Sequence, residues 1–332
     1  MTITAGQRAE GAVTDEPSPP TGGRPPRQWW WRCRRRPGQD ATERGILSAN
    51  DRRRPVVRAG LWIVTTVVVG GLAVVAAGPL LWLFKSAVST SQDILREPLS
   101  LWPSGIQWQN LSEAWTRVDI AGYLGNTAWV AAGSWFFGLL VATTGGYALS
   151  VLKPRYGPVI TGAVLATLFV PGVISLVALY LIILDVPIVR VNLINTFWAV
   201  WLPAAANAFN VLLVKRFFDN LPHDLFEAAR IDGAGPYRIF VSLVLPMSRP
   251  ILGVLSLLTI IAAWKEFLWP LLVLPDPSMQ PLSVALPRLE STAEVSLLMA
   301  GMFISVIVPV LLFLLFQRQF LRGAGQAGAL KG

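Results

Sequence analysis

Residues 59–83, AGLWIVTTVVVGGLAVVAAGPLLWL, run for 25 positions without a charged side chain. At 1.5 Å of rise per residue, a helix of that length covers a hydrocarbon core of ~30 Å. Lipid offers no partner to backbone N–H and C=O groups, so helix is the conformation open to such a run. Five further apolar runs occupy 126–151, 158–184, 194–214, 251–274 and 297–316. None alternates apolar and polar positions as the strands of a membrane barrel do. The expected fold is an all-α integral membrane protein with six transmembrane helices. The first run is too long, and too deep in the chain, for a cleaved signal peptide.

The expected organisation is an arm over 1–58, a first span over 59–83, an extracytoplasmic loop over 84–125, a core domain with five spans over 126–316, and a tail over 317–332. Only 14% of residues are charged, against about 25% in soluble domains. The arm differs from the rest. It is rich in Pro, Gly and Arg and carries no apolar period, so it is expected to be disordered. Within it QWWWRCRRR, residues 28–36, admits two readings. Trp29, Trp30 and Trp31 settle at lipid headgroups while the arginines attract anionic lipid, or the segment is a solvated basic tail.

The net charge of +9 reports orientation, not nucleic acid. With the N-terminus placed inside, and the arm set aside, the inner segments carry 10 Lys/Arg against 5 in the outer loops. The excess of positive charge marks the cytoplasmic side, so both termini are expected there, in a multi-pass protein of the cytoplasmic membrane. The loop between the fourth and fifth runs then also faces the cytosol.

Chemistry is scarce. Cys33 is the one cysteine and His223 the one histidine, which rules out an internal disulfide and a zinc site built from four Cys or His ligands. No GxxxxGK[ST] phosphate loop is present, and no group of His, Asp and Glu lies within the spans. No enzyme activity, metal or cofactor is expected.

The most informative segment is EAARIDGAGPYRIFVSLVLP, residues 227–246. Asp219 and Asn220 precede LPHDLFEAAR, in which Pro222 suits a first turn and Asp224 and Glu227 suit the positive end of the helix dipole. Gly233 is placed to stop the helix in a left-handed conformation. Gly235 and Pro236 start a second short helix that Pro246 and Pro250 end. Leu221, Leu225 and Ala228 share one side of the first helix, with Phe226 and Ala229 beside them, and Glu227 is three residues from Arg230 and able to pair with it. A knob with an apolar crest and charged flanks fits a groove in a partner protein; the alternative is a helix lying on the membrane surface.

Lys265 and Glu266 are the charges that fall inside a span, where charge costs about 2.5–3.5 kcal/mol. With Trp264 and Trp269 they line a watered path, or Lys265 snorkels or pairs with a companion subunit. Asn126, Asn195, Asn207 and Asn210 bond either to substrate or to neighbouring helices. Gly145-Gly146 and Pro171-Gly172 suit close packing or kinks.

Residues 227–246 resemble the cytoplasmic EAA loop of ABC importer permeases. Glu227, Ala228 and Ala229 match, Gly233 has the right offset, and Leu245-Pro246 closes the pattern; Leu243 stands where the family has isoleucine. The form that includes Arg230 and Asp232 is similar to the carbohydrate branch. So are INTFWAVWLPAAANAFNVLLVKRFF, EFLWPLLVLP and the ending RQFLRGAGQAGALKG, although that branch more often has Asn where Lys265 stands. The resemblance covers 59–332. It implies a permease subunit of a carbohydrate importer whose coupling residues are Glu227, Ala228, Ala229, Arg230, Asp232, Gly233, Leu243 and Pro246. It further implies a cytoplasmic ATPase dimer, a second homologous permease, an extracytoplasmic solute-binding protein, and ATP hydrolysis outside this chain. Trp264, Lys265, Glu266, Asn207 and Asn210 are the substrate-path candidates. A self-contained secondary transporter or channel is the competing reading, with Glu266 as the carboxylate for ion coupling.

Overall fold

The computed structural model describes residues 55–329, with the side chains of Phe316 and of 318–329 excepted. The expectations for residues 1–54, including the tryptophan-arginine segment and Cys33, lie outside the described residues. The chain divides at Leu72 into two compact units. The described part of the first is the N-terminal half of α1 (Pro55–Ala87).

The second unit is helical. After α1 come two short helices, α2 (Ser91–Arg96) and α3 (Gln109–Thr116). The long α4 follows (Ile120–Tyr147) and continues as a π-helical turn over Ala148–Leu152. Then come α5 (Gly157–Thr167), α6 (Gly172–Leu184), α7 (Trp198–Ala205), α8 (Ala208–Phe218) and α9 (His223–Ile231). α10 (Pro236–Ile239) passes through a second π-helical turn, Phe240–Val244, into α11 (Leu245–Met247). The chain closes with α12 (Arg249–Lys265), α13 (Leu268–Val273), α14 (Leu282–Leu289) and α15 (Val295–Ala329).

Three helices among the described residues are long and apolar enough to cross a membrane, and the number rises to five if each of two bent pairs is one span. Three of the runs, each expected as one spanning helix, are interrupted. The run 158–184 bends by 108° between α5 and α6, where Pro171 supplies no N–H and disfavours helix in the residue before it. The run 194–214 is split at Ala206–Asn207, leaving pieces of 8 and 11 residues. Asn207 takes an extended backbone and its side chain accepts the Asn210 N–H at 3.1 Å, so its local bonding favours a new helix start over continuation. The run 251–274 stops at Lys265, because Glu266 is extended (φ −66°, ψ 124°).

α4 is the centre of the second unit, packed on α7, α8 and α12. It starts at Asp119, which sits in the left-handed region (φ 56°) and caps the helix by accepting the Gly122 N–H at 3.3 Å. Small residues let its neighbours close in. A Cβ on Gly133 would fall 2.1 Å from the Trp201 ring, and one on Gly146 would fall 2.8 Å from Val214. Buried apolar residues form three clusters along the unit. One joins Tyr147 and Val151 to Val214, Phe218, Phe226 and Val244. A second gathers Val130, Val200, Trp269 and Val273, and a third Ile120, Leu282, Leu286 and Leu298.

Candidate functional site

Two places collect the residues singled out by sequence. The first is the loop 219–247. α9 ends as its glycine dictates: Gly233 has φ +76°, its N–H donates to the Arg230 carbonyl at 3.0 Å, and the Ala234 N–H donates to the Ala229 carbonyl at 2.9 Å. This pair of bonds is the Schellman arrangement that satisfies the last carbonyls of a helix. A Cβ at Gly233 would meet nothing within 4 Å, so what the position demands is backbone conformation and not space.

The helix is held to the body through Phe226, 3% exposed among Phe218, Val214, Ile239 and Val244. Leu243 packs on the same cluster, as expected for the isoleucine position. Leu221 was expected on the crest of the knob, but it is buried in this cluster: α9 begins only at His223, so Leu221 lies ahead of the helix and does not share its face with Leu225. The outward apolar side chains are Leu225, at 40% exposure, Ile231 at 86%, and Tyr237 at 80%. Glu227, Ala228, Arg230, Asp232 and Pro246 are exposed with them, and no ion pair joins Glu227 to Arg230 among the described residues. Ala229 and Asp232 line a cleft of about 220 Å³ between α9 and α10, closed by Arg238 and Leu243.

Two polar anchors, neither apparent in the sequence, tie this loop to α4. The Tyr147 hydroxyl donates to the Pro236 carbonyl at 2.8 Å, and the Tyr147 ring lies 5.0 Å from that of Phe240. Asp219, expected to start α9, instead accepts Ser150 Oγ at 2.7 Å and Lys215 Nζ at 2.8 Å. α9 begins later, at His223. Burial raises the Asp219 pKa, but the hydrogen bonds from Lys215 and Ser150 and the charges of Lys215 and Lys153 outweigh it and hold the carboxyl below its ordinary range. The i, i+4 spacing of Lys215 and Asp219 was a legible signal for half of this pair; nothing local marks Ser150.

The second place is a cavity of about 460 Å³ beside the middle of α4. Asn207 and Asn210 of α8, Glu266 and Trp269 line it, together with Ser134 of α4 and Thr259 of α12. Ser134 Oγ and Thr259 Oγ1 are buried and have no hydrogen-bond partner among the described residues. Glu266 sits at the gap between α12 and α13, where helix hydrogen bonding lapses, and its carboxylate accepts the Trp269 N–H at 3.4 Å. Trp264 and Lys265 lie outside the lining. Trp264 Nε1 donates to the Ser305 carbonyl of α15 at 3.3 Å, and Lys265, one residue before Glu266, is exposed. The helix ends between the two, and only Glu266 borders the cavity. Asn126 and Asn195 serve structure: Asn126 donates to the Ser278 and Gln280 carbonyls, and Asn195 accepts the Asp276 N–H.

Comparison with known proteins supplies the family. Residues 134–325 match the model of the binding-protein-dependent transport system inner membrane component. The chain is 30% identical to the sn-glycerol-3-phosphate transport system permease protein UgpE of Agrobacterium fabrum, over 81% of this chain and 96% of that one. It is also 30% identical to the arabinooligosaccharides transport system permease protein AraQ of Halalkalibacterium halodurans, over 79% of this chain and 93% of the other. In three dimensions it resembles a chain of a bacterial ABC transporter involved in the import of the acidic polysaccharide alginate. The TM-score is 0.70 at 22% identity, covering 83% of this chain and 99% of that one. The matched stretch takes in the cavity-lining middle of α4, the anchored loop and everything between them, and the chain belongs to the family of binding-protein-dependent transport system inner membrane components.

Proposed function

We propose that this chain is the membrane-spanning subunit of an ATP-driven importer of a carbohydrate, with the loop 219–247 as the lever through which a separate ATPase drives it. The observation that carries this reading is the connection made by α4. Its end grips the loop through Tyr147 and Ser150, and its middle lines the cavity through Val130 and Ser134. A displacement of α9 is thereby delivered to a helix that borders the path, as a rigid-body switch between two states requires.

Glu227, Ala228, Arg230, Asp232 and Gly233 form the docking side of the lever, with Leu225, Ile231 and Tyr237 as the apolar contact; Ala229, Leu243 and Pro246 shape its base. An ATPase dimer meets this side, a second related permease completes the path, and an extracytoplasmic binding protein delivers the solute. ATP is hydrolysed in the ATPase. The chain spans the cytoplasmic membrane six times with both termini in the cytosol. A polyhydroxylated substrate is supported by the names of the relatives and by the polar residues Ser134, Asn207, Asn210, Thr259 and Glu266 in the cavity lining.

The test is affinity purification in mild detergent. An ATPase, a second permease and a binding protein are expected to accompany the chain, and Glu227→Lys is expected to reduce recovery of the ATPase by reversing charge at the contact. Recovery of the ATPase at wild-type yield from Glu227→Lys would count against the lever. Solute movement by the purified chain alone, driven by an ion gradient, would favour the secondary-transporter reading with Glu266 as its coupling group.

A further inference from the structure

A second cavity, larger than the one beside α4, lies away from both places described above. Its volume is about 660 Å³, within the ~300–1,000 Å³ typical of small-ligand sites. One wall is the last turns of α1, with Gly78, Trp82 and Lys85; the other is the segment before α3, with Leu101, Trp102 and Trp108. The second wall is fastened to the first. Trp82 Nε1 donates to the Pro98 carbonyl at 2.8 Å, the Gln107 N–H donates to the Val88 carbonyl at 2.8 Å, and Asn110 donates to the carbonyls of Ala87 and Ser89. The space is therefore built by the fold and not left by a loose loop.

Its chemistry is that of an amphiphile site. The walls are almost wholly apolar, and Leu101 and Trp102 stand exposed at the rim. The polar side chains are Ser100 and Lys85, and Lys85, the charged one, is 8% exposed and has no hydrogen-bond partner for its Nζ among the described residues. A buried ammonium without a partner is costly; the Nζ itself is occluded beneath the cavity wall, and a turn of its flexible four-carbon stem brings it to an anion in the cavity and relieves that cost. The position fits as well. α1 is an apolar helix with Lys85 in its last turn, where a spanning helix leaves the hydrocarbon, and tryptophans concentrate at that depth. A sugar would find few polar groups on these walls, whereas an acyl chain finds three indole rings and several aliphatic side chains.

We propose that this cavity binds one anionic phospholipid, its phosphate on Lys85 and an acyl chain among Trp82, Trp102 and Trp108. The inference rests on the chain spanning a membrane and not on its being an importer.

The experiment titrates the delipidated full-length chain in detergent with phosphatidylglycerol or with phosphatidylcholine of the same acyl chains, counting bound lipid by native mass spectrometry. The wild-type chain is expected to retain one phosphatidylglycerol about fivefold more readily than phosphatidylcholine, the preference that one lysine near an anionic surface confers. Lys85→Met should abolish the preference. Gly78→Phe, which places a ring where an added Cβ meets nothing within 4 Å, should expel both lipids. A wild-type chain without preference, a Lys85→Met chain that keeps it, or a folded Gly78→Phe chain that still holds the lipid would overturn the proposal. If Gly78→Phe does not fold, Lys85→Met decides alone, since removing an unpaired buried charge does not impair folding. Neither ATP nor sugar enters the measurement, so its failure leaves the import reading untouched.

Discussion

Two glycines show how much a single position depends on its surroundings. In a helix, Gly→Ala ordinarily gains up to about 1 kcal/mol. At Gly133 that gain is reversed, because the new Cβ would lie 2.1 Å from the Trp201 ring, and overpacking of this kind costs about 1–3 kcal/mol. At Gly233 the space is open, yet the left-handed backbone costs a residue with a Cβ about 1–2 kcal/mol. Gly133→Ala is therefore expected to lower the thermal unfolding midpoint at least as much as Gly233→Ala, while only Gly233→Ala alters the loop. Thermal unfolding paired with hydrogen exchange over 223–235 separates the two. Asp219 gives a pH signature. Its folded pKa is depressed, so its contribution to stability is complete above the ordinary carboxylate range and is lost as pH falls through the folded value. Asp219→Asn should thus be less stable than the wild type at neutral pH, with the difference shrinking as the medium is acidified. A difference that stays constant into acid would assign Asp219 no such role.

The short helices of the loop were legible because their signals are local. Pro222 and Pro236 each fix φ through their own ring, Gly233 permits the left-handed φ that closes a helix, and α9 stops at Ile231, just ahead of the glycine. The breaks in the long apolar runs were less so. Hydropathy counts composition and is blind to direction, so 158–184 and 194–214 read as single spans although Pro171 and Asn207 each redirect the chain. The same blindness hid the division of Lys265 from Glu266, which depends on where α12 ends. Burial was misread at Leu221 for a related reason: helical spacing was carried back to a residue that lies ahead of α9, where the helix period does not apply. Phe226 and Leu225 turn this into a test, being neighbours on α9 of which one is buried and the other exposed. Phe226→Ala is expected to cost about 3–5 kcal/mol and to release α9 from the body, seen as proteolysis near 219–235. Leu225→Ala should change stability by less than about 0.5 kcal/mol and instead weaken recovery of the ATPase. Equal effects of the two changes on stability would contradict the orientation of the helix.

At the scale of the molecule, the proposed import reading asks how the loop 219–247 acts on the cavity, and α4 bears on it most directly. The helix is continuous from Asp119 to the π-helical turn at 148–152, and a π-helical turn is a site where a helix yields locally. A second such turn, Phe240–Val244, packs against it through the rings of Tyr147 and Phe240. If these facing turns transmit the movement, the bond from the Tyr147 hydroxyl to Pro236 fixes their register. Tyr147→Phe deletes that hydroxyl and little else. The bond is worth about 1 kcal/mol, too little to unfold the protein, and neither the docking side of α9 nor the cavity lining is touched. The expected outcome in proteoliposomes holding the full complex is a split: ATPase recovery and solute binding unchanged, basal ATP hydrolysis retained, and transport per ATP reduced severalfold. An unchanged ratio of transport to hydrolysis would move the coupling route away from α4, to the shared contacts of α8 and α12, and a parallel loss of docking would mean that Tyr147 merely keeps the loop folded.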